Sequence, residues 1–112
     1  MTQITIFQNQ NHDVVRFTCF GHAGFAEAGH DIVCAGISIL VLNTINAIEQ
    51  FTDDDFTCDV EEESGAIDFR FHSVCGADAK LLIRTMILGL EGIQSSYGKN
   101  GKKYLKLQFK EV

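Results

Sequence analysis

Residues 31–51, DIVCAGISILVLNTINAIEQF, decide how the rest of the chain must be arranged. Ile32, Val33, Leu40, Ile45 and Ile48 give the stretch apolar side chains in several directions, Asp31 has the short acceptor that caps helices, and no proline interrupts it. It predicts a central helix from 31 to about 51, buried on most sides. Outward from this helix the period changes from helical to alternating. Ile4 and Ile6, then Val15, Phe17 and Cys19, have polar residues between them, as in strands buried on one face, and residues 9–13 supply the turn. Phe56, Cys58 and Val60, then Ile67, Phe69 and Phe71, repeat the pattern around a loop at Glu63-Ser64-Gly65. Leu82, Met86, Leu90 and Ile93 recur at three or four positions, which predicts a second helix from about 76 to 97 with its apolar stripe on the sheet. Leu105, Leu107 and Phe109 form a closing strand. The order ββαββαβ defines an α+β fold, a largely antiparallel sheet with two helices packed on one face.

The chain has 112 residues, 46% of them hydrophobic, enough for one domain over 1–112 and too few for two comfortable cores. A net charge of -6 argues against tracking a phosphate backbone, which requires Lys and Arg to release counterions. It suits a basic protein or peptide as partner. Cys19, Cys34, Cys58 and Cys75 include no CxxC pair, so neither a zinc ribbon nor a thioredoxin-like motif is indicated. Met1-Thr2-Gln3-Ile4 lacks the basic and apolar regions of a secretory signal. The apolar run 32–42, broken by Gly36 and Ser38, is shorter than the ~20 residues that span a bilayer. A reducing cytoplasm and unpaired thiols are expected.

Chemistry concentrates in Gly21-His22-Ala23-Gly24-Phe25-Ala26-Glu27-Ala28-Gly29-His30-Asp31-Ile32-Val33-Cys34. A cysteine is ordinarily a small, inert core residue. At a helix start, however, the dipole favours the thiolate, the reactive form. With Asp31 as cap, Cys34 is the third helical residue, and its amide is one of the four without an intrahelical partner. Such amides form an oxyanion hole, worth roughly 3 to 4 kcal/mol per donor in acyl transfer. His22 is the candidate base for the thiol, with a strand-end histidine satisfied by backbone or water as its plain alternative. His30 competes, four residues before Cys34, but a position outside the cap turns it to solvent. His12 in a turn and His72 at a strand end are remote in sequence. Asp31 serves as cap and secondarily as a partner that orients His22. Gly21, Gly24 and Gly29 suit either the hinges of a mobile lid or an ordinary strand-to-helix connection. His22, His30, Asp31 and Cys34 include metal-ligand types, yet they are few, of mixed softness, with no second cysteine nearby. No metal or cofactor is expected.

The blocks Gly21-His22-Ala23-Gly24 and Gly29-x-Asp31-Ile32-Val33-Cys34-Ala35-x-x-Ser38 resemble the ribosomal-processing cysteine protease family, Prp, and the resemblance covers nearly the whole chain. It implies Cys34 as nucleophile, His22 as base, and Asp31 and Ser38 as supporting residues. It further implies an endopeptidase that removes an N-terminal extension from large-subunit ribosomal protein twenty-seven, acts through a thioester, and forms homodimers. Direct nucleic-acid and membrane binding are not expected. Phe25 and other apolar loop residues would receive apolar substrate side chains. The acidic runs Asp53-Asp54-Asp55 and Glu61-Glu62-Glu63 would steer a basic substrate, if they are more than solvated loops. Two departures stand out: Gly36 replaces a common alanine, at a helix cost of about 1 kcal/mol, and His30 replaces a polar uncharged residue. The competing readings are a non-catalytic ribosome-assembly factor of the same fold and a metal or redox protein.

Overall fold

The computed structural model describes residues 2–21, 30–96 and 104–112, and of residues 30 and 31 the backbone alone. In chain order the elements are β1 (Thr2–Gln8), β2 (Val14–Phe20), α1 (His30–Phe51), β3 (Phe56–Val60), β4 (Ile67–Phe71), α2 (Ala77–Ser96) and β5 (Leu105–Glu111). This is the ββαββαβ order expected from the alternation. The strands form one sheet in the order β3-β4-β2-β1-β5, antiparallel at every junction except β1 with β5.

The first hairpin shows how local chemistry sets register. Asn9 Oδ1 accepts the amides of Asn11 and Asp13 at 2.9 and 3.0 Å, and His12 takes a positive φ of 63° between them. Directly after the turn the pairing slips, from Phe7↔Arg16 to Gln8↔Val14, so β2 carries one extra residue there. The bulge puts Val14 rather than Val15 into the core, a change of face that simple alternation does not anticipate.

Both helices share one core with the sheet. Ile4, Ile6, Phe17, Ile67, Phe69 and Leu105 meet Val33, Ile37, Val41 and Ile48 of α1 and Ala79, Ile83, Met86 and Leu90 of α2. Phe69 anchors the β3 side, its ring stacked on Phe17 and Phe56, both at 4.7 Å, and edge-on to Phe71 at 4.9 Å. The expected burial of α1 on most sides is corrected: only one stripe is covered, and Ile32 is 70% exposed and Ile39 67%. The reason is the layer arrangement, in which α1 has the sheet beneath it and α2 beside it, leaving its outer face uncovered. By length and composition Ile32–Phe51 would suffice to cross a membrane. Its buried stripe is nonetheless committed to the sheet. Thr44, buried in that stripe, donates its hydroxyl to the Leu40 carbonyl at 2.7 Å. Leu40 also explains Gly89, where a Cβ would lie 3.0 Å from its side chain as α1 and α2 cross.

On the sheet face away from the helices, Arg16 forks onto Asp68 at 2.9 and 2.7 Å while its guanidinium lies 4.8 Å from the Phe7 ring centre. The hydrogen bonds from Arg16 hold the Asp68 carboxyl below its ordinary value, against a smaller opposing effect of burial. A depressed carboxyl contributes stability that is present above its unfolded value near 4 and is lost as pH falls through its folded value. Asp68→Asn is therefore expected to lower stability by about 1 kcal/mol or less at pH 7, the pair being partly solvated. The difference from the parent should shrink as pH falls below the ordinary carboxyl range and the Asp68 carboxyl takes up its proton, which urea denaturation at neutral and at acid pH would measure. Within α1, a Cβ on Gly36 would meet, among the described residues, only Ile93 Cδ1 at 4.0 Å outside the helix's own backbone. Gly36→Ala should then recover up to about 1 kcal/mol of helix propensity, read as a raised urea midpoint.

Candidate active site

Helix α1 begins at His30, one residue before the expected cap. This is a correction with chemical consequences. Asp31 lies inside the first turn instead of capping it, and Cys34 is the fifth helical residue, far enough in for its amide to join the i→i−4 ladder. The amides that have no intrahelical carbonyl to bond belong to the turn before it. Helical side chains lean toward the N-terminus, so a thiol at position 34 is carried back over that turn.

Cys34 is half-buried, and its Sγ lies 3.8 Å from the hydroxyl of Thr2 on β1. Thr2 is buried on the helix side of the sheet, in the same alternating set as Ile4 and Ile6. Cys19 pairs with Ile4 on the neighbouring strand β2. Burial pushes its thiol up to about 11, and the Cys34 thiol is close enough to add to the effect. Cys58 and Cys75 are also raised, chiefly by burial. None of the four is in a disulfide.

A cleft of about 250 Å3 opens beside this group, lined by Thr2 and Cys19 together with Phe20, Ile37, Ser38, Val41, Leu42 and Val60, and closed by Gly65 and Ile67. Ser38 stands one helical turn after Cys34, on the cleft wall. Gly21 follows β2 with a φ of 85°, a backbone that side-chain-bearing residues rarely adopt, so the chain's exit from the sheet favours glycine here. The remaining sequence candidates His22, Gly24, Phe25 and Gly29 lie outside the described residues. His30 and Asp31 open α1. The structure thus sets Ser38, Thr2 and Cys19 on one cleft with the Cys34 sulfur beside Thr2, and neither Thr2 nor Cys19 is singled out for the site by the sequence alone. Alternation alone placed Cys19 on the buried face and did not name Thr2. What it lacked was the rotation of α1 above them.

A cysteine near the start of a long helix, beside an apolar cleft between that helix and a five-stranded sheet, fits the class of a cysteine peptidase with a small α+β fold. The sequence profile of the family Cysteine protease Prp matches residues 1–102, and the chain belongs to that family. It is 35% identical over 104 residues to the ribosomal processing cysteine protease Prp of Bacillus subtilis, covering 89% of this chain and 93% of the relative. The Staphylococcus aureus protein of the same name is 31% identical over 100 residues, covering 89% and 94%. Among solved structures, S. aureus Prp in complex with a substrate peptide superimposes with a TM-score of 0.87 at 29% identity, over 98% of this chain and 100% of that one. The same protease with a covalently linked product peptide gives 0.84 at 30% identity, with the same coverage. The chain is a ribosomal-processing-type cysteine protease by family and by fold.

The thiols make a testable contrast. A group near pH 11 is ionised in only about one molecule in ten thousand at pH 7. In the native protein Cys19 should accordingly resist iodoacetamide at neutral pH and react only toward pH 11 or after unfolding. Rapid labelling of the Cys19 peptide at pH 7, seen by mass spectrometry, would contradict its burial.

Proposed function

We propose that the chain is the endopeptidase that removes an N-terminal extension from large-subunit ribosomal protein twenty-seven, with Cys34 as nucleophile and His22 as general base. The observation that carries this reading is the Cys34 thiol beside an apolar cleft at the start of α1. It gains support from the S. aureus relative, which has been seen both with a substrate peptide and with a covalently linked product peptide.

The reaction is acyl transfer. The Cys34 thiolate attacks the scissile carbonyl, the amides at the start of α1 offer donors to the oxyanion, and His22 passes its proton to the departing amine. Water, activated by the same imidazole, then hydrolyses the thioester. Asp31 and Ser38 take supporting places, Ser38 from the cleft wall. Thiol, imidazole and water suffice for the chemistry, so no cofactor or metal enters it.

The cleft wall of Phe20, Ile37, Val41, Leu42 and Val60 suits an apolar substrate side chain. The two acidic runs differ in their distance from the cleft. Asp53, Asp54 and Asp55 follow the far end of α1, roughly 25 Å along the helix from Cys34, and Asp54 is engaged with the Gly76 amide at 3.2 Å, ahead of α2. Glu61, Glu62 and Glu63 instead lie between Val60 and Gly65, both of which line the cleft. They are the run placed to attract a basic ribosomal peptide. We place the enzyme in the cytoplasm, acting on protein without binding nucleic acid or membrane, and as a homodimer. The exposed Ile39 and Leu88 on the outer helix faces supply apolar surface for a second copy.

The test is cleavage of a peptide spanning the extension junction of the host's own ribosomal protein. Cys34→Ala and His22→Ala should each lose turnover by at least about a hundredfold, the scale of a missing nucleophile or general base, while His30→Ala retains it. Cleavage by Cys34→Ala protein rules out the thiolate mechanism, and an active His22→Ala protein reassigns the base.

A further inference from the structure

Thr2 is a polar residue in a place that hydrophobic alternation reserves for the core. Its side chain is 3% exposed, so bulk water does not serve its hydroxyl. A buried hydroxyl without a partner costs on the order of 1 to 3 kcal/mol, and folded proteins almost always supply one. Among the described residues the partner of Thr2 Oγ1 is Cys34 Sγ, at 3.8 Å. No buried side-chain oxygen or nitrogen among them is left unsatisfied. Thr2 is also one of the residues lining the cleft, which places the cleft next to the sulfur.

We propose that Thr2 is a positioning residue for Cys34, its hydroxyl donating to the sulfur and holding it toward the cleft. The inference rests on Cys34 being the nucleophile. While the sulfur carries its proton, either group can act as donor. Once the sulfur is an anion, only the hydroxyl has a proton to give, so the bond becomes charge-assisted and favours the ionised form. No bond is made or broken in this step; the hydroxyl keeps its proton throughout. The strand that holds Thr2 is fixed on both sides, by β2 and by β5, where Thr2 itself pairs with Leu105. A donor on such a strand is preorganised, which a donor on a loop would not be.

Thr2→Val keeps the shape and removes the hydroxyl, whereas Thr2→Ser keeps the hydroxyl and removes the methyl. Both are made in the full chain, and thermal unfolding checks that they fold. The readout is the rate at which iodoacetamide labels the Cys34 peptide from pH 5 to 10, followed by mass spectrometry. In Thr2→Val the rate at pH 7 is expected to fall roughly threefold to tenfold, with the limiting rate at high pH unchanged, the signature of a lost hydrogen bond to the thiolate. Thr2→Ser should follow the parent curve. A Thr2→Val curve that superimposes on the parent overturns the proposal, and so does a Thr2→Ser protein that loses as much as Thr2→Val, which would make the methyl's packing responsible. Because labelling needs no substrate, these outcomes are separate from the cleavage assays. Continued cleavage by Cys34→Ala would instead remove the nucleophile reading on which the proposal rests.

Discussion

The seating of one stripe of α1 on the sheet is the contact from which the site follows. Val33, Ile37, Val41 and Ile48 are all nearly inaccessible to solvent, and together they fix both the height of the helix and its rotation about its own axis. Cys34 adjoins that stripe, in helical phase with Ile37 and Val41. Turning α1 by a single residue, about 100°, would send the sulfur away from Thr2 and Cys19. The energetics of the core and the aim of the nucleophile are therefore set by the same side chains. The apolar surface left on the other side of α1 follows from this too, since a helix lying on one face of a sheet has only one covered stripe.

Much of the fold was readable because hydrophobic period and element type coincide in this chain. Phe56, Cys58 and Val60 and then Ile67, Phe69 and Phe71 alternate cleanly, and the strands they predict are the strands observed. The departures have identifiable causes. Val14 is buried in place of Val15 because of a bulge, whose register depends on an asparagine turn rather than on hydrophobicity. The apolar Ile32 is exposed because composition measures how greasy a helix is, not how many neighbours it will have.

The site was legible to a smaller extent. Cys34 and Ser38 share a helix, so their relation could be read from spacing. Thr2 and Cys19 come from strands far away in sequence, and only the tertiary packing of α1 joins them to the thiol. The helix predicted to start after a cap at Asp31 begins two residues earlier, at His30, which moves the amides that lack an intrahelical partner. Boundary placement of that kind turns on the local backbone, where two residues are a small shift for the fold and a large one for an oxyanion donor.

The parallel pairing of β1 with β5 adds a temporal side to this architecture. Thr2 opposes Leu105, so the earliest strand of the chain is completed on one edge by the last. While a ribosome is still making the protein, β1 can zip to β2 but has its other edge bare until some hundred further residues have emerged. Closing so long a loop is slow and entropically costly. The strand that carries Thr2 thus gains its second neighbour only when β5 docks, so its two edges are secured at opposite ends of synthesis.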